Sequence, residues 1–230
     1  MAEFDLAQTD RLLTTTRAVR KRLDLQRPVE AEVILECLGI AVQAPSGSNA
    51  QRWRWMVITD PEKKRVIGDL YRKSFEVYIA PRAATIQPGD TASIKMTDSA
   101  TYLADHMGQV PVLVLPTVLD RPPEGTVEGQ AGFWGGILPA VWNFQLALRS
   151  RGLGSAWTTL HLNYEREVGE LLGIPETVTQ AALLPVAYYT GEGFSVAPRR
   201  PIEEVTYWNS WHATTPPTST KGDEDAAGSE

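Results

Sequence analysis

Two arginines three residues apart, Arg17 and Arg20, open the chain's first basic cluster, which Lys21 and Arg22 complete. Guanidinium groups so spaced can grip phosphate or carboxylate oxygens bidentately, each charge-assisted bond contributing about 1.5–3 kcal/mol. Arg22 is expected to point elsewhere on the same turn. The second chemical stretch is Ala44-Pro45-Ser46-Gly47-Ser48-Asn49-Ala50-Gln51-Arg52-Trp53. Ser46, Asn49 and Gln51 carry hydroxyl and amide groups able to pair with a heteroaromatic edge, and Gly47 lets the backbone come close. The third is Gly152-Leu153-Gly154-Ser155-Ala156-Trp157-Thr158-Thr159-Leu160, with Arg199-Arg200-Pro201 further on. Each also has a plain reading: a solvated basic face, a polar connection, a core strand with satisfied threonines.

Several chemistries have no local support. There is no P-loop, no HExxH pair and no GxSxG elbow. Gly152-x-Gly154 imitates half a dinucleotide fingerprint, but it precedes a strand and lacks the third glycine; a helix stop with a tight turn explains it. One cysteine, Cys37, excludes an intramolecular disulfide framework or a multi-cysteine metal site. The 22 basic and 28 acidic residues give a net charge of −6. Part of that excess sits in residues 213–230, where Asp223, Glu224, Asp225 and Glu230 oppose Lys221 alone. A body so nearly neutral argues against a nucleic-acid or anionic-membrane surface. With no apolar run of about 18 residues and an acidic start, a soluble cytoplasmic protein is expected.

These residues need elements to hold them. Length (230 residues) and a 43% hydrophobic, 22% charged composition fit one globular domain. A short helix precedes the arginines. A second follows Pro28, with Val33, Ile34, Cys37, Leu38, Ala41 and Val42 on one face. A strand is expected over 53–59, then a helix started by Asp60 as N-cap and Pro61, with Val66, Ile67, Leu70 and Tyr71 as its buried stripe. Residues 81–99 read as a lid or long loop. An apolar strand over 110–118 carries Pro111 and Pro116, which push their N–H sides toward an edge or strand ends. One long helix is expected over 130–151, a short strand over 155–158, a helix capped by Asn163 and ended at Gly173, and a strand over 180–189. Irregular alternation points to α+β with a small mixed, mainly antiparallel central sheet flanked by helices. The folded domain is expected over 1–212 and a disordered acidic tail over 213–230.

Taken in order, the motifs resemble the nitroreductase family of flavin-dependent oxidoreductases. Thr16-Arg17-Ala18-Val19-Arg20 is similar to that family's opening Arg-Arg-Ser-x-Arg, followed by Arg27-Pro28-Val29. Residues 44–53 match Ala-Pro-Ser-x-x-Asn-x-Gln-Pro-Trp, residues 152–157 match Gly-Leu-Gly-x-x-Trp, and 171–175 match a Leu-Leu-Gly-Ile-Pro helix end. Arg199-Arg200-Pro201-Ile202 resembles the terminal Arg-Lys-Pro-Leu segment. Thr16, Ala18 and Arg52 depart from the pattern.

The resemblance implies an intertwined homodimer with FMN at the subunit interface. It also implies a ping-pong cycle: NADH or NADPH reduces the flavin, and a small-molecule acceptor such as a nitroaromatic or quinone reoxidises it. No metal and no protein acid, base or nucleophile is required. Carried over residue by residue, the cofactor contacts are Arg17, Ala18, Arg20, Pro45, Ser46, Gly47, Asn49, Gln51, Thr158, Thr159, Leu160, Arg199 and Arg200. Arg17, Arg20 and Arg199 or Arg200 would meet the phosphate; Arg20 could also lie by the pyrimidine edge. The long helix over 130–151 is apolar on too many sides for a surface helix, and residues 199–212 would form an arm packing on the partner. Within the same fold a dehalogenase or a flavin-fragmenting enzyme is an alternative. So is a flavin-sequestering protein without turnover.

Overall fold

Val112–Leu119 (β2) is the strand around which the larger part of the chain is organised, with seven of its eight residues buried. The computed structural model describes residues 3–216, divided into two units, Met1–Phe194 and Ser195–Glu230. In the first, β2 pairs along one side with Trp53–Ile58 (β1), in register from Trp53↔Val118 to Ile58↔Leu113. Along the other side it pairs first with Leu184–Tyr188 (β5) and then with Val178–Gln180 (β4). Leu153–Ser155 (β3) pairs with β5, giving the order β1-β2-β5-β3, and every ladder is antiparallel. An isolated parallel bridge joins Asp120 and Val178.

Helices cover both faces, which is why β2 reads as a continuous apolar run rather than an alternating one. Side chains at successive strand positions point to opposite faces. Val112 and Val114 join a core with Ile34 and Cys37 of Ala31–Ala41 (α2), and Phe144 and Leu148 of Leu138–Ser150 (α6). Leu113 and Leu115 join a second core with Ile67, Tyr71 and Phe75 of Pro61–Ala83 (α3), and Leu103 of Thr91–His106 (α4). Asp60 caps α3 by accepting from Lys63 N at 2.9 Å, with Pro61 at the first helical position. The remaining helices are Leu6–Thr15 (α1), Val127–Gly135 (α5) and Glu165–Leu172 (α7). No helix among the described residues is long and apolar enough to cross a membrane.

Five expectations need correction. β2 is central: Pro111 stands just before its first residue, at the expected strand end, whereas Pro116 lies within it. Pro116 O accepts from Ala181 N at 2.9 Å, so its missing N–H falls in the gap where β5 pairing ends and β4 pairing begins. Residues 81–99 are not a long loop: α3 runs through Pro81 to Ala83, and Asp90 caps α4 by accepting from Ser93 N at 3.0 Å. The helix expected over 130–151 is two, α5 and α6, separated at Gly136-Ile137 with Pro139 in the first turn of α6. The strand expected over 180–189 is β4 and β5, with 181–183 between them. Asn163 does not cap α7; its Nδ2 donates to Ser74 Oγ at 2.6 Å.

The second unit contains a turn of 3-10 helix, Ile202–Val205, and rings of Tyr207 and Trp211 with centroids 4.7 Å apart. Val196, Ile202 and Trp211 are exposed. The acidic tail lies mostly outside the described residues.

Candidate functional site

The four basic side chains of the first cluster have different surroundings. Val19, buried between the two arginines, donates its N–H to Ser155 O at 2.8 Å. This lays the segment along β3, and Gly154 makes the approach possible: a Cβ there would sit 2.8 Å from Val19 Cβ. Gly152, at φ +78°, ends α6 in the left-handed region. Both glycines therefore have structural reasons, as expected. Lys21 pairs with Asp98 of α4. Arg22 turns to the chain beyond β5: its Nε donates to Thr190 O at 2.7 Å, its other nitrogens reach Gly193 O and Glu192 O, and it lies over the Phe194 ring.

Arg20 is half-buried and has no hydrogen-bond or ion-pair partner among the described residues. Its charge acts on Tyr71 of α3, whose hydroxyl also interacts with the Thr158 side chain. Burial pushes Tyr71 up to about 12, against the pull of the Thr158 bond and of Arg20. Thr158 is held by its own Oγ1, which donates to Leu183 O at 2.6 Å. The Tyr71 hydroxyl thus feels both the Thr158 side chain and the Arg20 charge, two groups distant in sequence. The reading from sequence missed Tyr71 as a site residue, because an aromatic on an apolar helical stripe reads as core.

Thr159 is exposed, and Leu160 begins a 3-10 turn, Leu160–Tyr164. Behind it His161 is fully buried, with no partner for either ring nitrogen among the described residues. Burial drives its pKa down to about 4, although the Glu165 carboxylate pulls the other way. Glu165 is bound bidentately by Arg121 at 2.7 and 2.9 Å, which holds its own pKa below the usual value.

The polar stretch before β1 is strained. Ser48, Asn49 and Gln51 all have φ between 46° and 51°, a region non-glycine residues rarely enter and one that recurs at ligand-binding sites. Local bonds hold the shape: Gln51 N donates to Ser46 Oγ at 3.2 Å, and Gln51 Nε2 to Asn49 Oδ1 at 2.9 Å. Pro45, Gly47, Asn49 and Gln51 are exposed. With Phe133 and the glycine face of α5 the stretch lines an open cleft of about 580 Å³. An ion pair, Arg52 with Asp120 at 3.0 Å, joins two residues of its wall.

The sequence-derived site falls into separate groups. Arg17, half-buried, and Ala18, exposed, lie with Arg20, Thr158, Thr159 and Leu160 at the β3 edge of the sheet. Residues 45–51 lie at the β1 edge. Three strand spacings, about 14 Å, separate the edges, and no residue of the first group lines the cleft of the second. Arg199 and Arg200 are exposed in the second unit, Arg199 donating to Pro198 O at 3.0 Å. No group of three or more metal-ligating side chains occurs among the described residues.

Comparison with known proteins bears on this arrangement. The chain is 26% identical over 207 residues to an NADH dehydrogenase of Thermus thermophilus, covering 86% of this chain and 97% of that one. It is 24% identical over 196 residues to an iodotyrosine deiodinase of Nematostella vectensis, covering 82% and 72%. Among solved structures it matches an FMN- and NADPH-dependent nitroreductase of Sphigopyxis with a TM-score of 0.64 at 21% identity, over 90% of this chain and all of that one. The nitroreductase family model matches residues 13–188, a span that holds the arginine pair, the strained stretch and all five strands. On that match, and on a fold shared along nearly its whole length with a flavin enzyme, this chain belongs to the nitroreductase family.

Proposed function

We propose that the protein is an FMN-dependent oxidoreductase that takes electrons from NADH or NADPH and passes them to a small-molecule acceptor such as a nitroaromatic or quinone. One observation carries the reading: Arg20 is a half-buried cation without a protein partner, beside a buried polar pair, Tyr71 and Thr158. A half-buried charge of this kind is costly unless something polar meets it. The flavin pyrimidine edge, which is electron-rich and hydrogen-bonding, has the matching chemistry.

In this reading Arg17 and Arg20 hold the cofactor, with the Ala18 backbone between them, and Arg199 or Arg200 adds charge at the phosphate. Thr158–Leu160 border the ring, and Tyr71, neutral at physiological pH, fixes Thr158. Bound there, FMN supplies the two-electron chemistry. Pro45, Ser46, Gly47, Asn49 and Gln51 stand across the sheet from the arginines, and in this reading a second copy of the chain contributes them to the cofactor. The exposed apolar side chains of residues 195–212 and of the α2–α6 face (Leu35, Ile40, Trp142) provide the dimer contact.

The test is direct. Purified protein should be yellow, with about one FMN per chain in a dimer, and anaerobic NADH or NADPH should bleach it rapidly. Colourless protein that cannot be reconstituted would overturn the proposal. Flavin that binds but is not reduced would leave a sequestering protein instead. The deiodinase relatives favour a second reading, reductive dehalogenation of a halogenated tyrosine; turnover of iodotyrosine with nitro compounds inert would establish it.

A further inference from the structure

Between α1, the last turn of α6 and the exit of β5 lies a groove of about 470 Å³ that the cofactor reading does not use. Gln8, Thr9, Arg11, Leu12 and Thr15 line it from α1, Arg149 and Ser150 from α6, and Tyr189 and Gly193 from beyond β5. The lining has two guanidinium groups, several hydroxyls and an amide, and no carboxylate. Arg11 is exposed and makes no side-chain hydrogen bond or ion pair among the described residues. Arg149 is the better held: it donates to Tyr189 Oη at 2.5 Å, with the Tyr189 and Phe194 rings each 5.0 Å from its guanidinium carbon. That bond uses one of its five donors, and its Nε is buried without an acceptor.

We propose that this groove binds a phosphate-type dianion through Arg11 and Arg149, as a site separate from the one assigned to the flavin. Two guanidiniums with no carboxylate partner, one from α1 and one from α6, produce a local positive potential in a molecule of net negative charge. Arg149 is already ordered by its aromatic contacts, so little side-chain entropy is lost on binding. The negative end of the α6 dipole works against an anion here, and the Arg149 charge in the last turn offsets it. Thr15 and Ser150 already donate their hydroxyls to Arg11 O and Ala147 O, so the neutral donors that a phosphate, with its several acceptor oxygens, can use are the Gln8 amide and the Tyr189 hydroxyl. The volume exceeds the needs of bare phosphate and admits a phosphorylated small molecule.

The experiment uses the protein as purified. Inorganic phosphate and adenosine monophosphate are titrated at constant ionic strength against chloride, with Tm and the flavin spectrum recorded. Phosphate should raise Tm saturably without changing the spectrum. Arg11→Gln should weaken that response about tenfold, and Arg11→Glu, which places a tethered carboxylate opposite Arg149, should abolish it. Tighter binding of adenosine monophosphate assigns a nucleotide as the source; equal binding assigns free phosphate. Equal responses in wild type and both variants overturn the proposal. Release of flavin by phosphate overturns it too, making the groove the cofactor's own phosphate seat and leaving the FMN reading intact. A colourless protein defeats the FMN reading without affecting the phosphate titration.

Discussion

Arg22 spends its donors on three carbonyls of the chain beyond β5 and lies over the Phe194 ring, whereas Arg20, two residues earlier, has no such acceptor. Removing each side chain should therefore be read by a different measurement. Arg20→Ala should cost about 2–3 kcal/mol of FMN affinity, roughly 30- to 150-fold, with the apoprotein's stability barely changed. Flavin retained after dialysis checks it, and Arg166→Ala, at a fully solvated i,i+4 pair with Glu170, serves as control. Arg22→Ala should lower stability by about 2 kcal/mol in urea unfolding of the apoprotein, because three backbone carbonyls lose a charged donor at once. Spacing alone could not separate the two arginines, since what distinguishes them is the path of residues 190–194.

At the scale of elements, the contact between β3 and the segment before it depends on the missing Cβ of Gly154. Gly154→Ala should cost about 1–3 kcal/mol, since Val19 is buried and cannot retreat. It should also weaken flavin retention, because Arg17 and Arg20 flank Val19; denaturant titration and dialysis together report both effects. What was legible in the sequence follows the same logic of local determinants. α2, β1, β2 and the Asp60-Pro61 start of α3 carry their own periodicity or caps, and the structure has them where expected. Residues 81–99 were not legible as helix, because α4 buries only Leu103 and Ala104 and leaves Ile94 and Met96 exposed among small polar residues, so no apolar stripe marks it. The α5–α6 break was hidden for the opposite reason: the apolar pattern runs on through Gly135, Gly136 and Ile137. In the site, Arg17 and Arg20 stood out by charge and spacing, and the 44–53 stretch by composition. Tyr71 did not, because its role comes from Thr158 and Arg20, which only the tertiary fold brings to it.

For the whole molecule, two buried titratable groups contribute to the pH dependence of stability. His161, lowered to about 4, is kept neutral in the fold and takes a proton near 6.5 when unfolded. Its contribution is complete above pH 6.5 and is lost as pH falls toward 4, on the order of 3 kcal/mol in all. Tyr71, raised from 10.0 to about 12, works at the other end: its contribution is complete below pH 10 and disappears as pH rises through 12. Urea unfolding across pH 4–8 should show a falling acid limb, and His161→Leu should flatten it; an unchanged limb would assign acid sensitivity to the carboxylates instead.

The pairing of β2 also has a consequence for how the chain comes off the ribosome. Its first partner, β1, precedes it, but β4 and β5 lie some 60 residues or more downstream. Until they are synthesised, an almost wholly apolar eight-residue strand has one open edge, ready to pair with any other extended chain. Folding of the sheet must therefore wait until residues 178–188 have emerged, an interval in which chaperone cover of β2 would suppress such pairing.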